Sequence, residues 1–148
     1  MFSMIGIDPL YDNVVEAINR WKPSAEYTSE PKYRDDLQGY LLKVLNRPDP
    51  MSLIKQSAIV RKEAGRGLCD LEVNRRIGIE LKRNLKSKEM VDRLAGQINN
   101  YEREYSDIII VLVGNTDTNH FQHLRMDISR RRDRINLMDP KRYAIIKK

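Results

Sequence analysis

Ile108 to Val113 is an unbroken apolar run between Asp107 and Gly114, rich in β-branched residues and the most apolar stretch in the chain. It is strand-length, and it lacks the alternation of a strand with one wet face, so both of its faces need covering. The surrounding segments read as the covering elements. Leu10, Val14, Val15, Ile18 and Trp21 fall at helical spacing over Pro9 to Trp21, with Asp8 as a cap and Pro23 beyond the end. A second helix opens at Pro31 and runs to about Leu45, with Pro48 past its end and Tyr33, Leu37, Tyr40, Leu41 and Val44 on one face. Ser57 to Arg61 reads as a short strand, and Gly65-Arg66-Gly67 as a turn into a hairpin. Ser87 caps a long helix to Tyr105 with the stripe Val91, Leu94, Ala95, Ile98, Tyr101 and Tyr105. Asp117 to Asn119 caps a last helix carrying Phe121, Leu124, Ile128 and Ile135. Asp139-Pro140 ends that helix, and Tyr143 to Ile146 reads as an edge strand. The expected class is α/β: a central mixed β-sheet flanked by helices.

A length of 148 residues allows one domain with a real core, here 1–148 with a basic helix and strand at about 120–148. No apolar run approaches the roughly 20 residues of a membrane helix, and Met1 to Leu10 lacks the pattern of a signal peptide. A lone cysteine, Cys69, fits a reducing compartment, so the cytoplasm is the expected location. With only His120 and His123 beside it, a structural zinc site is not expected; the two histidines read as a solvated face. Charge is unevenly placed. Residues 125–148 hold nine Lys/Arg against three Asp, while residues 1–124 balance 18 against 18, so the whole net charge of +6 lies in the last 24 residues. Such asymmetry suits a polyanion, nucleic acid above all, and equally suits a solvated basic tail.

Asp70 to Lys82 reads as a β-hairpin whose register decides which side chains share a face. With a two-residue turn, Asp70 opposes Ile79 and points to the apolar side. With Asn74-Arg75-Arg76 as a three-residue loop, Val73 opposes Ile77, Leu71 opposes Ile79, Asp70 opposes Glu80 and Cys69 opposes Leu81. The second register puts the apolar residues on one face and the acids on the other, although Arg76 suits a left-handed position poorly. Glu80 and Lys82, two apart, point the same way, opposite to Ile77, Ile79 and Leu81. Two carboxylates and an ammonium on one face are what a metal-dependent phosphodiesterase needs, the acids for a hard cation and the lysine beside the attacking water. A surface ladder of cross-strand charge pairs would use the same residues. Glu72 lies on the acid side opposite Gly78, as a spare acid or a partner for Arg61 or Lys62, and Cys69 reads as a core thiol.

Asp70, then Glu80-Leu81-Lys82, then a helix with Gln97-Ile98-Asn99-Asn100-Tyr101, resembles the PD-(D/E)XK nuclease superfamily. The glutamine and tyrosine four apart are similar to its RecB-like branch. The likeness runs from about residue 30 to 113 in the order helix, three strands, helix, strand, and departs where Cys69 stands in place of a proline. It implies a restriction-endonuclease-like sheet and a metal-dependent DNA endonuclease. Asp70, Glu80 and the Leu81 backbone carbonyl would hold Mg²⁺ or Mn²⁺, and Lys82 would act on water and phosphate. Glu30, near the centre of the second helix's stripe, would be a further site acid, though an acid at a helix start is favoured anyway. Gln97 would reach over the site toward Lys82 or the DNA backbone, and Tyr101 would be a nucleic-acid contact, unless it is simply core. Arg83, Lys86, Lys88, Arg130, Arg131, Arg132 and Arg134 would grip phosphates. Cutting two strands with so small a domain implies a homodimer. A junction resolvase and a non-catalytic nucleic-acid-binding module on the same scaffold are the alternatives.

Overall fold

The structure, a computed structural model, describes residues 9–47, 57–134 and 140–148. Asp8, Pro48, Ile135 and Asp139, to which the sequence reading gave capping, ending or packing roles, lie outside them. Helices α1 (Leu10–Arg20) and α2 (Glu30–Leu45) come first. Strands β1 (Val60–Ala64), β2 (Cys69–Val73) and β3 (Ile77–Arg83) follow, then α3 (Lys88–Tyr101), β4 (Asp107–Val113), α4 (Thr118–Asp133) and β5 (Arg142–Lys147). The five strands form one mixed sheet in sequence order, β1 to β3 antiparallel and β3 to β5 parallel. The class is α/β, as the order of elements implies.

Two consecutive parallel crossovers moving in one direction across a sheet put both connecting helices on the same face. α3 and α4 accordingly pack with Ile108, Ile110 and Leu112 on one side, while α1 and α2 pack with Ile109, Val111 and Val113 on the other. All seven residues of β4 are buried. Covering each Ile, Val or Leu contributes about 1.5–3 kcal/mol, which makes the two-sided burial of β4 the main hydrophobic tie between the helical layers.

Several boundaries differ from the sequence reading; α4, for one, ends at Asp133 with Arg134 as its extended C-cap, short of the expected Ile135. The first strand is Val60–Ala64 rather than 57–61, because its pairing partner fixes it: Val60 pairs with Val73 and Ala64 with Cys69. Ile59 instead exchanges hydrogen bonds with Asn74, whose side chain accepts from the Ile59 N–H while its N–H donates to the Ile59 carbonyl. The α3 helix ends at Tyr101, and a turn follows in which the Tyr105 N–H still reaches the Tyr101 carbonyl at 2.9 Å. Ser87 and Asp117 cap their helices as read, accepting from the N–H groups of Met90 and His120.

Arg131 corrects one of the basic-grip expectations. Its side chain is 3% exposed and ion-paired to Asp127 and Glu102, and it donates to Asn99 Oδ1 and the Ala95 carbonyl. It ties α4 to α3 and is buried away from solvent. Arg131→Ala is therefore expected to lower stability by about 3 kcal/mol in denaturant titration, because buried acceptors lose their donor.

Candidate active site

The hairpin turn settles the register. Asn74 and Arg75 have φ of 51° and 58°, and the Arg76 N–H donates to the Val73 carbonyl at 3.0 Å. The left-handed positions thus fall on Asn74, which tolerates them, and on Arg75, while Arg76 is the extra residue of a bulged loop. Val73 pairs with Ile77, Glu72 with Gly78 and Leu71 with Ile79, as the three-residue loop requires.

Beyond Leu71 the two strands part, and regular pairing does not extend to Asp70 with Glu80 or Cys69 with Leu81. Side chains replace the main-chain ladder there. The Leu81 N–H donates to Asp70 Oδ2 at 2.8 Å, and the Asp70 N–H in turn stabilises the Glu80 carboxylate. The chain entering β2 bends through the left-handed Leu68 (φ 52°). Cys69 consequently turns toward α3, its thiol donating to the Leu71 and Ile79 carbonyls, and burial pushes that thiol well up. It is a core thiol, but on the face opposite to the one expected. The acids end side by side all the same.

Glu80 is 3% exposed. Its Oε1 accepts from the Tyr101 hydroxyl at 2.8 Å, and its Oε2 lies 3.4 Å from Lys82 Nζ. Burial, reinforced by the negative charge of Asp70, pushes the Glu80 carboxyl up to about 7; the Tyr101 hydroxyl, Lys82 and the Asp70 N–H pull the other way. Asp70 is also raised, by burial first, with the Leu81 N–H and Lys82 opposing and Glu30 adding to the rise. Glu30 therefore reaches the site electrostatically. Its Oε2 accepts from the Arg83 N–H at 2.8 Å, tying the start of α2 to the end of β3.

Tyr101→Phe removes a hydrogen bond to the charged form of Glu80, so the carboxyl is expected to titrate at higher pH still. Carbon-13 NMR of the Glu80 side chain would read this, and an unmoved or lowered midpoint would deny the hydroxyl that role.

The remaining predicted site residues are dispersed. Tyr101 is 1% exposed, so it braces Glu80 from beneath rather than presenting a ring to nucleic acid. Gln97, one turn before it on α3, is half-buried, and its Oε1 has no hydrogen-bond partner among the described residues; Lys82 pairs with Glu80 instead. Lys86 and Lys88 are exposed just past β3, whereas the Arg83 guanidinium donates to the Tyr27 carbonyl. Arg130 and Arg132 on α4 and Arg134 at its C-cap are exposed, Arg132 also donating to the Tyr143 carbonyl. Two residues near the site are not among those expected there from the sequence. Arg34 pulls the Asp70 carboxyl down from the same helix as Glu30, one turn on, while pairing with Asp35 and Glu63. Tyr105, four residues after Tyr101, donates to Glu72 at 2.7 Å as Tyr101 does to Glu80. The shared four-residue spacing was the available signal.

Compared with known proteins, the chain gives no match to a family model, a curated protein or a solved structure.

The donor set itself can be tested for a cation. Among the described residues no group of three or more His, Cys, Asp or Glu side chains converges as a ready-made cage. Two carboxylates plus a carbonyl suit Mg²⁺ or Mn²⁺, which keep several waters. A strand residue projects its N–H and C=O to the same side, so the Leu81 carbonyl faces the Asp70 side with its N–H. Two neighbouring carboxyls with raised proton affinity, Glu80 buried and Asp70 half-buried, are also the arrangement a divalent charge would relieve. The residues fit such an ion.

Proposed function

We propose that the chain is a metal-dependent DNA nuclease of the PD-(D/E)XK type, an endonuclease that hydrolyses phosphodiester bonds. The observation that carries this reading is the parting of β2 and β3 at Asp70, which sets the half-buried Asp70 carboxylate beside the buried Glu80 and its partner Lys82. The flanking order of helix, strands, helix and strand supports it. Asp70, Glu80 and the Leu81 carbonyl would hold Mg²⁺ or Mn²⁺, which supplies Lewis-acid polarisation of the phosphate and an acidified water. Lys82, fixed 3.4 Å from Glu80, orients the attacking water and offers positive charge to the phosphate oxygens as negative charge builds on them. Tyr101 holds the Glu80 carboxylate in place, and Glu30 holds the end of β3 through the Arg83 N–H. The described residues of one copy hold one such site, so we assign duplex cutting to a homodimer. No helix among the described residues is long and apolar enough to cross a membrane.

The experiment is a panel of linear, nicked, flapped, branched and single-stranded DNA and RNA, incubated with Mg²⁺ or Mn²⁺ and with chelator. Metal-dependent cuts support the reading, and preference for branched substrates would make the enzyme a junction resolvase. Binding without cleavage of any member would leave a binding module. Neutralising Arg130, Arg132 and Arg134 together is expected to weaken binding to all sequences alike and to lower the slope of log affinity against log salt by about 2–3. An unchanged slope would assign these arginines to solubility.

A further inference from the structure

An open pocket of about 570 Å³, lined largely by charged residues, lies beside the hairpin on the α3 side of the sheet. Its wall includes Glu72, 6% exposed, whose Oε2 accepts from the Tyr105 hydroxyl at 2.7 Å. The Tyr105 ring can lie there because position 78 is glycine: a Cβ would come within 2.7 Å of Tyr105 Cδ2. One carboxylate oxygen is thereby fixed, and Glu72 retains accepting capacity on the other. Arg61 and Arg75 also line the cavity, and neither has an ion pair among the described residues, although Arg61 is the cross-strand neighbour of Glu72. Lys62, bonded to Asp35, and Glu104, which accepts from the Arg66 and Gly67 N–H groups, complete the rim.

A buried, oriented carboxylate with exposed arginines around it suits a ligand that brings adjacent N–H donors at one end and an anion at the other. Among nucleobases only guanine presents two neighbouring donors, N1–H and the N2 amine, on its pairing edge. Adenine and cytosine each set an acceptor beside their amine, which would face the carboxylate unfavourably. We propose that this cavity binds the pairing edge of an unstacked guanine nucleotide on Glu72, its phosphate on Arg61 and Arg75. The proposal rests on the nucleic-acid reading above and deepens it. Glu72 pairs with Gly78, two residues from Glu80, so the pocket and the proposed catalytic acids are about 7 Å apart along β3. A guanine held there would place a neighbouring phosphate toward Asp70 and Glu80.

The test is fluorescence anisotropy in EDTA, where no cleavage intervenes, on labelled oligothymidylate carrying one central guanine, hypoxanthine or adenine. Hypoxanthine lacks only the N2 amine. Wild type is expected to bind the guanine strand about tenfold more tightly than either other strand. Glu72→Gln turns an amide N–H toward the guanine donors and is expected to erase the preference for guanine over adenine, since an amide can instead pair with adenine's amine and neighbouring acceptor. The base comparison on wild type stands even if that variant folds poorly. Guanosine monophosphate and inosine monophosphate as competitors separate the sources. Competition by free guanosine monophosphate with no preference among strands would assign the pocket to a free nucleotide. Strand binding with no preference and no competition would overturn the pocket and leave the nuclease reading standing. Preference retained by Glu72→Gln would move guanine recognition elsewhere. Absence of binding to any strand or nucleotide would overturn the pocket, and the cleavage panel with Mg²⁺ or Mn²⁺ tests the nuclease reading separately.

Discussion

Glu80→Ala and Lys82→Ala should each reduce cleavage by roughly 10³-fold, while binding of uncut DNA changes little. Glu80 is proposed to hold the cation, and Lys82 to act on water and phosphate. Neither fills the apolar layers, whose members on β3 are Ile77, Ile79 and Leu81. Removing Glu80 also takes away a carboxylate held in a site that resists its charge. The lost hydrogen bond from Tyr101 and the lost repulsion therefore offset each other, and the thermal midpoint should move by only a few degrees. In the absence of metal, Glu80→Ala is expected to bind DNA at least as tightly as wild type, because one repulsion toward phosphate disappears. A purely structural charge ladder would give the opposite pattern, with measurable stability losses and no loss of any activity. Single-turnover cleavage and melting curves on the same preparations separate the two.

The metal-free protein should lose stability as pH rises from about 4.5 to about 7. The sign follows from Glu80, whose carboxyl titrates near 4.5 in an ordinary setting and is pushed up to about 7 in the fold. Between those values the folded state holds a proton that the unfolded chain has released, so raising pH favours unfolding. The loss is complete above the folded value and amounts to about 3 kcal/mol, given 1.36 kcal/mol per unit. Asp70 is raised as well and contributes with the same sign. Asp35, Asp36 and Asp117 are lowered and act oppositely, but below the ordinary carboxylate range. Mn²⁺ should reverse the trend, raising the melting temperature most above pH 7, where both acids can ionise onto the cation. Thermal melts across pH with EDTA or Mn²⁺ check this, and Glu80→Gln should flatten the EDTA profile. A wild-type profile matching that of Glu80→Gln would contradict it.

What could be read from the chain follows the range of the forces involved. The β4 run, the capping residues Ser87 and Asp117, and the alternation through Ile77, Ile79 and Leu81 are local patterns, and each fixed its element closely. The hairpin register was legible because only one loop length sorted the apolar residues to one side. The parting of β2 and β3 was not, since it depends on a side chain, Asp70, displacing a main-chain partner of Leu81. That exchange, with the left-handed Leu68, also reversed the facing of Cys69. Tyr101 misled because its spacing on the helix stripe says that it is buried but not that its hydroxyl meets Glu80. Arg131 misled in the same way. In a row of arginines, sequence shows only that they cannot share one face, not that Asp127, Asn99 and Glu102 are there to receive one of them.

The most direct measurement is single-turnover cleavage of a short labelled duplex by wild type and Asp70→Asn, each with Mn²⁺ and with EDTA. Wild type should cut with Mn²⁺ and stop in EDTA, and Asp70→Asn should bind the duplex and leave it whole in both. Cutting by wild type in EDTA, or by Asp70→Asn at the wild-type rate, would contradict a metal-dependent centre at Asp70, Glu80 and Lys82.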